Sequence, residues 1–145
     1  MKKSYSLKIV SIVTMLSAVV RFVMGVMMFN FFSKSSNVMD VPQIIMTCSI
    51  IAFVLILIFV LALTICGFVG AICWDDPEIA PKCVILGVIT LVLGLVGDWF
   101  QAYAGYSISY LVWITSVAVP ALYIVVSLIF HISFRASRKK KTAQQ

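Results

Sequence analysis

Two charged residues, Arg21 and Asp98, stand inside long apolar stretches of the sequence. A central arginine costs roughly 2.5 to 3.5 kcal/mol on membrane-insertion scales, so its side chain is expected to face protein, a partner charge or trapped water. A guanidinium and a carboxylate can pair with each other or bind a polar ligand. A carboxylate that exchanges protons can couple the movement of a substrate to the movement of protons. The sequence therefore predicts a polar site within membrane-embedded helices.

The apolar stretches have the length of membrane-spanning helices. Hydrophobic residues make up 63% of the 145 residues and charged residues 11%, whereas roughly 25% of residues are charged in soluble domains. About 20 apolar residues, rising 1.5 Å each, cross a bilayer. We predict an all-α, integral membrane four-helix bundle with short loops, in which residues 1–134 form one transmembrane domain and residues 135–145 a basic tail. The predicted spans are residues 9–32, 44–66, 83–104 and 110–133.

The basic residues concentrate at helix ends and in the tail, and they produce the formal net charge of +6. If the amino terminus is cytoplasmic, Lys34 lies outside, Arg21 lies within the membrane and the other basic residues are cytoplasmic. This positive-inside pattern predicts that both termini face the cytoplasm. We expect a multi-pass protein of the plasma membrane, specifically a bacterial inner membrane, with no nucleic-acid partner.

The connections between the spans carry signals for helix ends. Asp76 before Pro77 has the pattern of a helix N-cap, and Pro81 can open the third helix. Residues 105–109 form a short turn, so the third and fourth spans should be antiparallel neighbours. The aromatic residues around this turn are typical of a membrane interface, and they are Trp99, Tyr103, Tyr106, Tyr110 and Trp113.

Small and polar residues follow helical spacing on the first and third spans. Arg21 lies about 18 Å along its helix from Ile9, and Asp98 lies about 22 Å along its helix from Cys83. Both helices run in the same direction across the membrane, so the two charges fall at similar depths. We therefore expect Arg21 and Asp98 to meet in the bundle interior, where the cation keeps the carboxylate ionised.

The fourth span carries a third polar face. It includes Ser116, Pro120 and Tyr123, and Pro120 frees a backbone carbonyl near mid-membrane. If the three faces converge, the interior is either a hydrated cavity that binds a ligand or a packing core in which small and polar residues join the helices. The candidate binding residues are Arg21, Asp98, Gln101, Ser116 and Tyr123.

No catalytic, cofactor or metal-binding motif is complete, so we expect a non-enzymatic protein with no cofactor and no metal ion. The preferred hypothesis is an accessory or assembly subunit in the lipid bilayer that binds a lipid-like or protein partner. Other possible partners are a small amphipathic ligand and a second copy in a homodimer. The alternative is a proton-coupled small-molecule transporter, working as a homo-oligomer, in which Asp98 binds protons and substrate in competition.

Overall fold

The computed structural model describes residues 5–36, 42–72, 74, 76 and 78–142, and it confirms an all-α bundle of four helices long and apolar enough to cross a membrane. The fourth spanning helix is continuous but contains a π-helical segment. Most helix ends extend beyond the predicted spans. The elements are α1 (Tyr5–Ser36), α2 (Gln43–Ile72), α3 (Ala80–Tyr103), α4 (Tyr110–Trp113), the π-helical segment (Ile114–Ala118) and α5 (Val119–Thr142).

The helices pack as a four-sided bundle. α1 and α3 each pack against α2 on one side and against α5 on the other, so α1 and α3 face each other across a diagonal. We call the end of the bundle at residues 104–109 the turn end, and the end at which α1 starts and α5 finishes the termini end. α2 has 22% of its most apolar window buried, against 33% for α3 and 39% for α1 and the fourth helix. It therefore presents the most surface outward, as its uniformly apolar sequence predicts.

α3 begins at Ala80, three residues before the predicted start of the third span. Its N-cap residue is Ile79, which makes no side-chain cap, so Asp76 lies in the connection before the helix. The Asp76 carboxylate accepts the amide N–H of Glu78 at 3.0 Å, which forms an Asx turn before the helix begins. The prediction that Pro81 lies in the opening turn of α3 is confirmed.

The other end of α3 closes with a Schellman motif. Gly105 has a φ of +85°, in the left-handed region that glycine adopts without strain. The Tyr106 amide donates to the carbonyl of Gln101 at 3.0 Å, and the Gly105 amide donates to the carbonyl of Ala102 at 3.0 Å. This pair of hydrogen bonds turns the chain back over the end of α3 and places Tyr106 beside Gln101.

The π-helical segment ends at Ala118, two residues before Pro120. Proline lacks an N–H, and its ring clashes with the carbonyl of the residue four positions earlier, which here is Ser116. The helix accommodates this by widening, so that the Val119 amide donates to the carbonyl of Ile114, five positions back. On the facing helix, a β-carbon added to Gly94 would lie 2.7 Å from the Ser116 carbonyl oxygen. Glycine therefore lets α3 approach the widened turn closely.

Four of the five aromatic residues expected at the membrane interface point outward at the turn end. Trp99 is 64% exposed, Tyr103 61%, Tyr110 90% and Trp113 54%. Tyr106 does not follow this pattern, because the Schellman motif directs it inward. The outward aromatics match an interfacial belt, whereas Tyr106 covers part of the bundle interior.

Candidate ligand-binding site in the bundle interior

An ion pair between Arg21 and Asp98 lies in the centre of the bundle. Arg21 Nη2 is 2.5 Å from Asp98 Oδ1, and the two side chains are 2% and 8% exposed. The same carboxylate oxygen accepts a hydrogen bond from the Ser116 hydroxyl at 3.2 Å. The predicted meeting of the two charges is confirmed, and Asp98 receives donors from two different helices.

The ion pair joins the diagonal helices α1 and α3. The guanidinium also lies over the ring of Phe59 on α2, with Cζ 6.0 Å from the ring centroid, which adds a cation–π contact. A buried charge is tolerated only when it is paired and hydrogen-bonded. Phe59 on α2 and Asp98 on α3 contact the guanidinium directly, and Ser116 of the π-helical segment holds the Asp98 carboxylate.

A cavity of about 140 Å³ lies on the turn-end side of the ion pair. Arg21 and Gln101 contribute its charged and amide groups, while Gly25 leaves room on α1. The apolar wall consists of Met24, Met28, Ile56 and Val112, and the connection after α3 adds Tyr106, Ser107 and Ser109. The cavity is therefore amphipathic, because both polar and apolar groups line it.

Two buried N–H donors at the cavity lack hydrogen-bond partners among the residues that the structure describes. They are Arg21 Nε and Gln101 Nε2, on residues that are 2% and 4% exposed. Buried N–H groups are almost always satisfied, so donors arranged in this way are typical of a site for an oxygen acceptor. Burial also raises the pKa of Tyr106, so its phenol stays protonated at neutral pH and can donate as well.

The predicted site residues fall into two layers. Arg21 and Gln101 line the cavity, while Asp98 binds the guanidinium and Ser116 donates to Asp98. Tyr123 lies apart from them in the half of the bundle nearer the termini end. It is completely buried, and its hydroxyl donates to the carbonyl of Cys66 at 2.8 Å. The structure therefore brings the first four together and places Tyr123 in a packing layer.

The polar face of α1 serves packing in that same half of the bundle. Ser11, Thr14 and Ser17 are all buried. Their hydroxyls donate to carbonyls of α1 itself, three or four residues earlier, at 2.7 to 2.8 Å. Hydroxyls satisfied by their own helix leave a small surface for close helix contact. The packing interpretation of the polar faces therefore applies to the half of the bundle nearer the termini end, and the cavity interpretation applies to the half nearer the turn end.

The sequence prediction did not include the apolar wall of the cavity or the residues after α3. Met24 and Met28 follow Arg21 by three and seven positions, which places them on the same helix face. This spacing indicates that the two methionines lie near Arg21. It is weak evidence for a binding site, because methionines commonly fill apolar cores. Gly105 indicates that Tyr106 can point inward, because a glycine just after a helix commonly turns the chain back over the helix end.

Together, the fold and the site define a multi-pass helical membrane protein with a central ion pair beside a small amphipathic cavity. Comparisons of the chain with known protein families, with curated proteins and with solved structures found no match. Any functional conclusion for this chain rests on the chemistry of its site, since a helical bundle alone hosts many functions.

Proposed function

We propose that this protein is a non-enzymatic accessory or assembly subunit that binds the polar end of a lipid-like molecule in the cavity beside Arg21. The observation that carries the proposal is the pair of buried donors, Arg21 Nε and Gln101 Nε2, at an amphipathic cavity. A ligand with an oxygen acceptor and an apolar chain satisfies both parts of such a site.

The size of the cavity favours part of an amphiphile over a whole small molecule. Pockets for drug-sized ligands are typically about 300 to 1,000 Å³, whereas this cavity is about 140 Å³. One polar group fits inside, and its hydrocarbon chain would continue along the apolar wall into the bilayer. Met24 and Met28 in that wall are flexible and can adapt to a chain.

The charge distribution gives the orientation that we propose for the protein. Lys8, Lys82 and Arg135 all lie at the termini end, on helices that cross the membrane. The positive-inside tendency then favours cytoplasmic termini and a turn end outside, in the plasma membrane of a bacterial cell. In this orientation the cavity lies in the outer half of the bilayer and receives lipid-like molecules from the outer leaflet.

Proton-coupled transport through Asp98 by a homo-oligomer is the alternative proposal. One observation favours it: Arg21 both lines the cavity and binds Asp98, so a ligand that displaced the guanidinium would release the carboxylate. The binding role has more support, because Asp98 is 6% exposed and already accepts hydrogen bonds from Arg21 and Ser116.

The proposal is tested by reducing the cavity and measuring bound lipid. A β-carbon added to Gly25 would lie 2.8 Å from Ile56 Cγ2, so Gly25→Ala makes Ile56 shift within the cavity wall. The matched control is Gly97→Ala, whose added β-carbon makes an ordinary contact with Leu55 at 3.8 Å. Native mass spectrometry of protein extracted from its own membrane measures the lipid-like molecules that stay bound.

We expect Gly25→Ala to lose most of the bound molecule and Gly97→Ala to keep the wild-type amount. The wild-type protein should carry a defined adduct of lipid-like mass. An adduct that persists unchanged in Gly25→Ala, or a wild-type protein that carries none, contradicts the proposal.

A further inference from the structure

We infer that the cavity selects an uncharged oxygen acceptor, such as the ester or amide carbonyl of a lipid-like molecule, over an anionic headgroup. This inference rests on the proposed function and names the chemical class of its ligand. Three features carry it: the charge balance of the site, the kind of hydrogen-bonding groups it offers, and its size.

The charge balance of the site is already complete. Arg21 is the only charged residue that lines the cavity within the described part of the chain, and its charge is matched by Asp98 at 2.5 Å. An anionic ligand would have to share the guanidinium with Asp98 and would lose its hydration, so one of the two anions would be left poorly compensated. A neutral group requires no additional counter-charge.

The hydrogen-bonding groups of the site are mainly donors. Asp98 occupies Arg21 Nη2, which fixes the guanidinium and leaves Nε for another acceptor. Gln101 adds its amide Nε2, and neutral Tyr106 adds a hydroxyl. A carbonyl or hydroxyl oxygen can accept from these groups. An ammonium group, by contrast, would be repelled by Arg21.

The dimensions of the site favour a small polar group over a large headgroup. A cavity of about 140 Å³ has room for a carbonyl and its neighbouring atoms. The apolar wall then contacts the first methylenes of the chain. A bulky, hydrated phosphate-based headgroup fits this volume less well than an ester does.

Three photoactivatable probes with the same 12-carbon chain test the inference on the full-length protein in detergent. The first is a monoacylglycerol, the second a fatty-acid carboxylate and the third an alkylammonium. Crosslinking yield against probe concentration gives the affinity, and mass spectrometry of the peptides locates the attachment. We expect the monoacylglycerol to bind at the cavity at least tenfold more tightly than either charged probe.

Gln101→Leu removes one donor without touching the ion pair, and it should weaken monoacylglycerol binding by about fivefold to tenfold. The matched control is Ser127→Ala, which removes a buried hydroxyl of α5 that does not line the cavity, and it should leave the affinity unchanged. Circular dichroism checks that each variant is folded. If Gln101→Leu is not, Gln101→Met provides the same test with a side chain of similar length.

The possible results separate the inference from the proposed function. If the carboxylate binds at the cavity as tightly as the monoacylglycerol, or if folded Gln101 variants bind the monoacylglycerol normally, the inference is wrong and the lipid-binding function stands. If none of the probes attaches at the cavity, both are wrong. Tenfold selectivity for the neutral probe that depends on Gln101 supports both.

Discussion

Arg21 and Asp98 connect two helices that do not share a side of the bundle. α1 and α3 are both flanked by α2 and α5, and the ion pair crosses the diagonal between them with 2.5 Å separating Arg21 Nη2 from Asp98 Oδ1. Because each charge is buried, each depends on the other for compensation. The pair therefore sets the height of α1 relative to α3, and with it the shape of the cavity on the turn-end side.

Removing one member of the ion pair should be more damaging than removing both. Arg21→Gln or Asp98→Asn leaves the other charge buried without its partner, which should lower the free energy of unfolding by about 3 to 5 kcal/mol. The double variant Arg21→Gln, Asp98→Asn leaves two amides and should recover part of this loss. Thermal unfolding of the four proteins in the same detergent measures the coupling. A double variant that loses as much as the sum of the single ones contradicts the pairing as a source of stability.

Close contact between α3 and the widened turn before Pro120 should make Gly94 intolerant of substitution. In Gly94→Ala the new β-carbon meets the backbone carbonyl of Ser116 at 2.7 Å and the ring of Phe59 at 3.0 Å. A backbone atom cannot move away cheaply, so we expect a loss of about 1 to 3 kcal/mol. Gly97→Ala on the same helix is the control and should be close to neutral. Equal melting temperatures for the two variants would show that the approach of α3 is looser than described.

The structure also indicates which parts of this protein were predictable. The spans follow from length and apolarity, and the ion pair follows from the similar depths of Arg21 and Asp98 along parallel helices. Both predictions depend on distances along single helices, which the sequence contains directly.

Other features depend on how the helices fit together. Tyr123 shares a helix face with Ser116 but lies seven residues further along, about 10 Å, and so reaches a different layer. Asp76 has the residue type of an N-cap, yet its carboxylate is used in a turn before α3 begins. Tyr106 has the composition of an interfacial residue, and only the backbone conformation of Gly105 turns it inward. Residue type alone does not distinguish these outcomes.

The Schellman motif at Gly105 should control access to the cavity. An L-residue in the left-handed region costs about 1 to 2 kcal/mol, but asparagine tolerates that region better than alanine does. Gly105, with its φ of +85°, should therefore accept Asn better than Ala. We expect Gly105→Ala to displace Tyr106 and to increase labelling of a cysteine introduced at Met28, with Gly105→Asn intermediate. Identical labelling rates in the three backgrounds would mean that the motif does not hold Tyr106 over the cavity.

Tyr123 should affect stability and not binding. Tyr123→Phe keeps the ring but removes the hydroxyl that donates to the Cys66 carbonyl, which should lower stability by about 0.5 to 1.5 kcal/mol. Binding of the monoacylglycerol probe should stay at the wild-type level, because Tyr123 does not line the cavity. Gln101→Leu is expected to show a clear loss of binding in the same assay. Weaker binding in folded Tyr123→Phe would place Tyr123 in the ligand site after all.

Proton release distinguishes binding from transport most directly. If Asp98 exchanges protons for a cationic substrate, adding cationic compounds to detergent-solubilised protein should release protons, and Asp98→Asn should abolish the release. We expect no release from either protein, because Arg21 already compensates the carboxylate and a cation would have to displace it. The measurement is made in weakly buffered solution at several pH values with a pH indicator. Release of about one proton per chain from the wild type alone would favour the transporter and would mean that the guanidinium moves aside when substrate enters.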